Sequence, residues 1–471
     1  MPERIRFPRE AWLPLVAGLG WFWLAPGHSF WFTTIAGVPA CLLLGGGVAM
    51  LLFPGDPRIT HYGAAGGVIG GLLGLLGLFV VGFWSGLVLV GLSSLGFLAC
   101  GSLAHRLEMP IEGVPEATPS VALSAQIGAD EALLASMLAF MPFPGRSDFD
   151  RIGRELVAAK EMFGSKGWLA DPSSYHAQPP QLEAPRLRSA RTHGHDYDHM
   201  SFDSGYRPHP DEPGAERWHS YVGNRTAHAW VLRHRQQDRP WLVCIHGYQM
   251  GMAAIDLLAF PPKQYHHELG LNLLVPVLPL HGARKAGRRS GDGFLIGDVL
   301  DSVHAEAQAM WDIRRMLGWV RSQSDAPIGV LGYSLGGYNT ALLATLDDRL
   351  ACAIAGIPLA DIPAAFMQHG PAEEVRRIVE HSIDEQQMRD VMRVVSPLAA
   401  KPKVPHDGRF IFGAIADRLV PAAQVRDLWE HWDRPRIEWY PGAHITFRAH
   451  PAVQRLIDEG LRPLTVERVP S

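Results

Sequence analysis

Two stretches constrain the architecture before any motif is considered. From Ala11 to Pro54, and again from Gly63 to Ala104, the chain contains no Asp, Glu, Lys or Arg. A bilayer-spanning helix needs about 20 apolar residues, so each run accommodates two helices and a turn. The turns fall at "APGHS", beginning at Ala25, and at "VVGFWSG", around Gly82. Trp21, Trp23 and Trp31 flank the first turn and Trp84 lies in the second. Such aromatics suit a membrane–water interface. The expectation is a transmembrane region of four helices over residues 1–108. A signal peptide would account for Leu13 to Pro26 but not for the later runs.

The flanking charges set an expected orientation. Arg4, Arg6 and Arg9 precede the first helix, Arg58 lies between the pairs, and Arg106 follows the last. Four spans bring all of them to one side. The positive-inside rule then places the N-terminus and everything after Arg106 in the cytoplasm, as in a multi-pass protein of the plasma or inner membrane. The small residues of "GGVIGGLLGLLGLFVVG" suit close helix packing. Neither run carries the intramembrane charge of a transport path, so the region reads as an anchor.

The remainder of the 471 residues is enough for a large core. A net charge of -4 gives no electrostatic footprint for nucleic acid. Cys41 and Cys100 lie in apolar runs, and Cys244 and Cys352 in strand-like segments. They read as buried free thiols rather than a disulfide framework. After the linker "EMPIEGVPEATPS", the stretches "ADEALLASMLAFM" and "DFDRIGRELVAAKEMF" have helical spacing, the second with Ser147 or Asp148 as its cap. "DPSSYHAQPPQLEAPRL" is extended and broken by proline. Residues 109–190 are thus expected to form a linker and a helical connecting subdomain whose role the sequence does not express.

Residues 191–471 change character. Apolar strand-like runs such as "WLVCIHGY", "LNLLVPVLPLHG", "PIGVLGY" and "RFIFGAIA" alternate with helical segments. That pattern implies an α/β domain, a mainly parallel sheet covered on both faces. Its first two strands are polar and antiparallel. A helical insertion is expected at about 362–403.

One turn carries chemical promise. "IGVLGYSLGGYNT", beginning at Ile328, puts Gly332-Tyr333-Ser334-Leu335-Gly336 between an apolar strand and a helix-compatible stretch. With 49 glycines such a motif arises readily by chance, so its context carries the weight. A serine there would sit on a strained turn at a helix N-terminus. Its hydroxyl needs a base from another loop at the same sheet edge. "WYPGAHITF" supplies His444 after the last strand, and "FIFGAIADRLVP" supplies Asp417 after the preceding one. All three follow the carboxyl ends of expected strands, where open α/β sheets place their sites.

"IHGYQMG", "GYSLGGY", "GAIADRLVP" and "PGAHITF" together resemble the α/β-hydrolase superfamily, in its serine esterase and lipase-like branch. The resemblance covers roughly the half of the chain from His195 onward. It implies Ser334 as nucleophile, His444 as general base and acid, and Asp417 as the residue that orients the imidazole. It also implies an oxyanion hole from the backbone N–H groups of Tyr248 and Leu335. His246 matches a structural histidine in that family. Asp361, after the strand beside the nucleophile, competes for the acid role, but the loop around Asp417 matches the family more closely. His450 reads as a surface or capping residue. "LPLHGARKAGRRSGDGF" is a weaker match, in which His281 and Arg284 shape a pocket rim and Arg288 and Arg289 either meet an anionic head group or are simply solvated.

"THGHDYDHM" resembles a metal cluster, with His193, His195, Asp196, Asp198 and His199. The dinuclear pattern HxHxDH needs Asp where Tyr197 stands. On a strand His193, His195, Tyr197 and His199 would share one face. No other tract supplies a partner set, so a solvated edge-strand face is expected and no metal site is assigned. In the insertion, Met367, Met388 and Met392 suit either a flexible acyl pocket or plain core.

The sequence therefore leads to a membrane-anchored serine hydrolase acting on a carboxylic ester, with a lipid or small-molecule substrate. It would need no metal or organic cofactor and bind no nucleic acid. The same three residues would equally serve acyl transfer or thioester cleavage. A non-catalytic membrane scaffold or binding protein with this fold is the alternative from another class.

Overall fold

The computed structural model describes residues 8–465 except 28, 57, 237, 296, 297 and 382. Arg4 and Arg6 lie outside the described residues. The chain forms two compact units. The first comprises Met1–Phe140 together with two later segments, Ala414–Ala423 and Trp439–Pro451. The second comprises Met141–Gly413, Gln424–Glu438 and Ala452–Ser471.

In the first unit the two uncharged runs fold into α1 (Trp12–Leu24), α2 (Phe30–Leu52), α3 (Thr60–Val80) and α4 (Phe83–Leu107), followed by α5 (Val121–Ala139). The chain reverses at the two expected turns, the second through Gly82 at φ 91°. Up-and-down packing gives the bundle two different ends. Ala11, Met50, Ile59, Ala64, Cys100 and Leu103 cluster at one, beside Arg58 and Arg106. Among the described residues, the other end carries no Asp, Glu, Lys or Arg and exposes Trp23, Phe30, Trp31, Phe79, Phe83 and Trp84, aromatics of the kind found at a membrane interface. α3 meets α4 through glycine: a Cβ on Gly67 would lie 2.6 Å from that of Phe97, and one on Gly74 2.8 Å from Val90 Cγ2. Trp21 Nε1 donates to Ser93 Oγ at 2.9 Å across the bundle.

Among the described residues, the helices long and apolar enough to cross a membrane are α2, α3, α4 and α5. This differs from the expected set. α1 has 13 residues, and at 1.5 Å per residue it reaches about two thirds of a 30 Å hydrocarbon core. α5 qualifies on length and composition although Asp130 and Glu131 lie within it, both fully buried.

The second unit opens with α6 (Arg146–Ser165), whose Phe149, Ile152, Leu156, Ala159 and Phe163 repeat at helical spacing and are buried. Its N-cap is Gly145, not Ser147 or Asp148. Asp148 sits one turn in and accepts the Gly145 N–H at 2.9 Å. The sheet follows: β1 (Arg186–Thr192), β2 (His195–Asp203), β3 (Thr226–Leu232), β4 (Trp241–Ile245), β5 (Asn272–Val277), β6 (Ile328–Tyr333), β7 (Leu350–Gly356), β8 (Arg409–Ala414) and β9 (Arg436–Tyr440). The strand order is β1-β2-β3-β5-β4-β6-β7-β8-β9. β1 to β3 and β5 pair antiparallel, whereas β5-β4-β6-β7-β8 pair in parallel. This is the α/β-hydrolase arrangement with β1 added at its antiparallel edge. β4, β5 and β6 are buried along their whole length, which explains their unbroken apolar sequence. β1, "RLRSART", has little buried surface and carries Arg186, Arg188 and Arg191, as suits a protected edge. The insertion folds as three helices, Ile362–His369, Ala372–Glu380 and Glu385–Met392.

Two residues expected at a pocket rim lie in the core instead. Arg284 and His281 are 1% and 0% exposed. Arg284 pairs with Asp312 at 2.7 Å and donates to the carbonyls of Val277 and Asn224. Asp312 also accepts from Ser204 Oγ at 2.6 Å. A guanidinium so far from water needs these partners, and stripping its counter-ion leaves a bare buried charge. Asp312→Ala is therefore expected to cost about 3–5 kcal/mol. Denaturant unfolding of the detergent-solubilised protein measures this, and an unchanged midpoint would contradict it.

Candidate active site

Ser334 stands between β6 and the helix Leu335–Leu346 at φ 59°, ψ −117°. This is backbone that an L-residue adopts only under constraint. Two glycines make room for it. A Cβ on Gly336 would lie 1.9 Å from the Ile245 carbonyl oxygen, and one on Gly332 would lie 2.1 Å from that of Gly336. The main chain is tied on both sides, with the Ser334 N–H donating to Gly356 O at 2.9 Å and its carbonyl accepting from Tyr338 at 3.0 Å. The side chain is half-buried. Leu335 opens the helix, whose first N–H groups have no intrahelical acceptor.

The loop after β4 lies against this turn. A Cβ at Gly247 would come 3.7 Å from that of Ser334. Tyr248 follows, then Gln249 at φ 63° and Gly251 at φ 91°. Asp256, fully buried, holds the loop by accepting the Gly251 N–H at 2.9 Å and Trp230 Nε1–H at 2.8 Å. Burial pushes its carboxyl up to about 6. His246 Nε2 accepts the Leu278 N–H at 3.1 Å, so its Nδ1 carries the proton and faces Gly247 O at 2.8 Å. Burial holds this imidazole down to about 4. It ties two loops together and has no free nitrogen for proton transfer.

Asp417 and His444 meet within the first unit. Asp417 Oδ2 is 2.7 Å from His444 Nδ1. The other carboxylate oxygen accepts the N–H groups of Leu419 and Val420 at 2.9 and 2.8 Å. The acid is thus oriented by its own loop and the imidazole by the acid. Burial by itself would lower the imidazole; the charge and hydrogen bond of Asp417, with a smaller contribution from Asp130, outweigh it and hold His444 above its ordinary value. Asp361 is occupied otherwise. It caps the helix Ile362–His369 through the Ala364 N–H at 2.9 Å and pairs with Arg389 at 2.6 Å. His450 packs on the Tyr440 ring, with centroids 4.7 Å apart.

The histidine-rich tract does not share one face. His193 sits in the β1–β2 turn at φ 48°, outside either strand, and its Nε2 lies 2.8 Å from Ala254 O. His199 Nε2 lies 2.9 Å from His228 Nδ1, so one ring donates and the other accepts. Asp198 pairs with Arg233 at 3.3 Å. Met388 and Met392 are core residues, 2% and 3% exposed, while Met367 is half-buried. Met392 also borders a cavity of about 210 Å³ shared with Tyr338, Asp361 and Arg389. Arg288 and Arg289 are exposed.

Sequence reasoning missed Asp130 and Glu131. Asp130 Oδ2 accepts the main-chain N–H groups of His444 at 2.8 Å and Arg418 at 3.1 Å. Glu131 accepts from Arg418 Nε and from Thr60 Oγ1, each at 2.6 Å. The signal was present: two adjacent carboxylates in an otherwise apolar helix are expensive to bury and mark a specific use.

No protein-family model matches the chain. Solved structures that overlap it include the acetyl xylan esterase from Paenibacillus sp. R4, 18% identical with a TM-score of 0.43, covering 69% of this chain and 98% of that one. Acetyl xylan esterase 1 from Thermoanaerobacterium sp. is 13% identical with a TM-score of 0.41, covering 62% and 98%. The strand order and the turn at Ser334 define the fold here, not these overlaps. Two curated relatives from Mycobacterium tuberculosis, the uncharacterized proteins MT2702 (strain CDC 1551) and Rv2627c (strain H37Rv), are each 45% identical over 370 residues, 78% of this chain and 88% of theirs. By that identity and extent, this chain belongs to the same family as the two mycobacterial proteins.

Proposed function

We propose that the protein is a membrane-anchored serine hydrolase that cleaves a carboxylic ester through an acyl-serine intermediate. The observation that carries this reading is the backbone at Ser334, a costly conformation maintained by two glycines where a tight strand-to-helix turn presents a hydroxyl. The buried His444–Asp417 pair is the second support.

In this mechanism Ser334 Oγ attacks the acyl carbon while His444 Nε2 takes its proton. Asp417 holds Nδ1–H and balances the imidazolium. The N–H groups of Tyr248 and Leu335 receive the developing oxyanion, and losing one such donor typically costs about 3 kcal/mol in barrier. His444 then returns the proton to the leaving alcohol. Water enters with His444 as base, and the acid product leaves Ser334 free. A lipophilic ester fits an enzyme anchored beside the bilayer. Arg58 and Arg106 at one end of the helical bundle support a cytoplasmic catalytic side.

A fluorophosphonate probe is expected to label Ser334 in the folded protein, and Ser334→Ala to abolish both labelling and ester turnover. Residual turnover above about a thousandth of wild type would reject Ser334 as nucleophile. Unlabelled but folded wild type would favour a scaffold, and product analysis in 18O-water separates hydrolysis from acyl transfer.

The pH profile offers a second test. The base must be neutral, so turnover rises with pH as His444 loses its proton, with a midpoint above the ordinary 6.5. The same raised value contributes folding stability that is complete below 6.5 and is lost as pH rises through the folded value. Asp417→Asn should bring the midpoint down; if Asp361→Asn does so instead, the acid is misassigned.

Reporter fusions after Ala104 and after Phe140 are both expected to report the cytoplasmic side; an external signal after Phe140 would mean an odd number of spans and a catalytic part outside the cytoplasm.

A further inference from the structure

We propose that Asp130 is a positioning residue for His444, which makes the helical unit a working part of the active site and not only its anchor. This rests on the role given to His444 above, and its test is separable from that role.

Asp130 is fully buried on α5. A single oxygen, Oδ2, receives the N–H of His444 and the N–H of Arg418, the residue after Asp417. One atom therefore spans the acid loop and the base loop and sets the distance between them. Both bonds go to main chain, so the grip depends on where the loops run. The surroundings brace it. Glu131 and Glu108 pair with Arg418 at 2.6 and 2.8 Å, and Glu131 also meets Thr60 and, at 3.2 Å, His61 of α3. Thr446, two residues after His444, reaches Gln126 of α5 at 3.4 Å. Ala416 packs with Ala104, Leu123 and Ile127.

The choice of a carboxylate is informative. An asparagine could accept the same two N–H bonds through its amide oxygen, without the cost of burying a charge. Among the described residues, Asp130 Oδ1 is buried with no hydrogen-bond partner. A carboxyl, unlike an amide, can ionise as its neighbour becomes cationic, and the imidazole that becomes cationic during turnover is the group that gains. Among the described residues, the groups set against His444 are Asp417 from the loop after β8, Asp130 from α5, and Tyr440 from the end of β9, whose hydroxyl lies 3.4 Å from the His444 carbonyl. Of these, Asp417 orients Nδ1 directly, whereas Asp130 acts through the backbone and through space.

The test is a titration of the His444 imidazole by NMR in full-length, histidine-labelled protein in detergent, assigned by comparison with His444→Gln. In Asp130→Asn the midpoint should fall by about one unit. If the protein hydrolyses esters, the acidic limb of kcat should move down with it while KM stays unchanged. An unmoved midpoint overturns the proposal whether or not the protein is an esterase. Conversely, absence of esterase activity in wild type counts only against the Ser334 reading. Should the Asn variant fail to fold, Asp130→Glu keeps the charge and displaces the grip. A midpoint still raised with kcat reduced about tenfold or more supports the proposal, and wild-type kcat overturns it.

Discussion

The second unit is organised around one piece of difficult backbone. A serine at φ 59°, ψ −117° costs on the order of 1–3 kcal/mol. It persists because the Ser334 N–H is held by Gly356 at the end of β7 and its carbonyl by Tyr338. β4 and β6 are buried throughout and β7 everywhere but at Ala351, so the turn cannot relax by moving a strand end. Gly332 and Gly336 are consequences of the same crowding, since no larger residue fits where the helix crosses β4 and β6.

The first unit solves a complementary problem. Asp417 and His444 sit on loops, which are the parts of a fold least able to hold position. They are fixed from two directions. The loop after β8 turns its own N–H groups onto Asp417 Oδ1. α5 supplies a carboxylate that takes one N–H from each loop. A helix that counts as a potential span by composition is thereby engaged in polar contacts deep in protein. The charged residues that flank α1 to α4 gather at the end where α4 leads to α5, and the opposite end exposes Trp23, Phe30, Trp31, Phe79, Phe83 and Trp84.

Several expectations failed for identifiable reasons. β1 was not legible because an exposed edge strand has no buried face and therefore no alternation to read. The strand spacing of "THGHDYDHM" implies a strand position for His193, but Gly194 at φ 81° turns the chain there. Arg284 resembles a surface cation in sequence. Only the buried Asp312, distant along the chain, converts it into a core residue. α1 falls short of a span because its helix ends at Leu24, just before Ala25 and Pro26.

Sequence alone determined the features that depend on local pattern. The uncharged runs required apolar helices, their turns fell where expected, and unbroken apolar strands required a sheet buried on both faces. Gly-Tyr-Ser-Leu-Gly between strand and helix marked the turn, because its steric demand lies within five residues. Tertiary structure decided what depends on residues far apart in the chain: the pairing of Asp417 with His444, the burial of Arg284, and the grip of Asp130 on two loops. Hydrogen bonds to main-chain N–H groups leave no residue-type signature at the donor. The sequence of the loops that carry Asp417 and His444 therefore could not reveal that a carboxylate about three hundred residues earlier holds them.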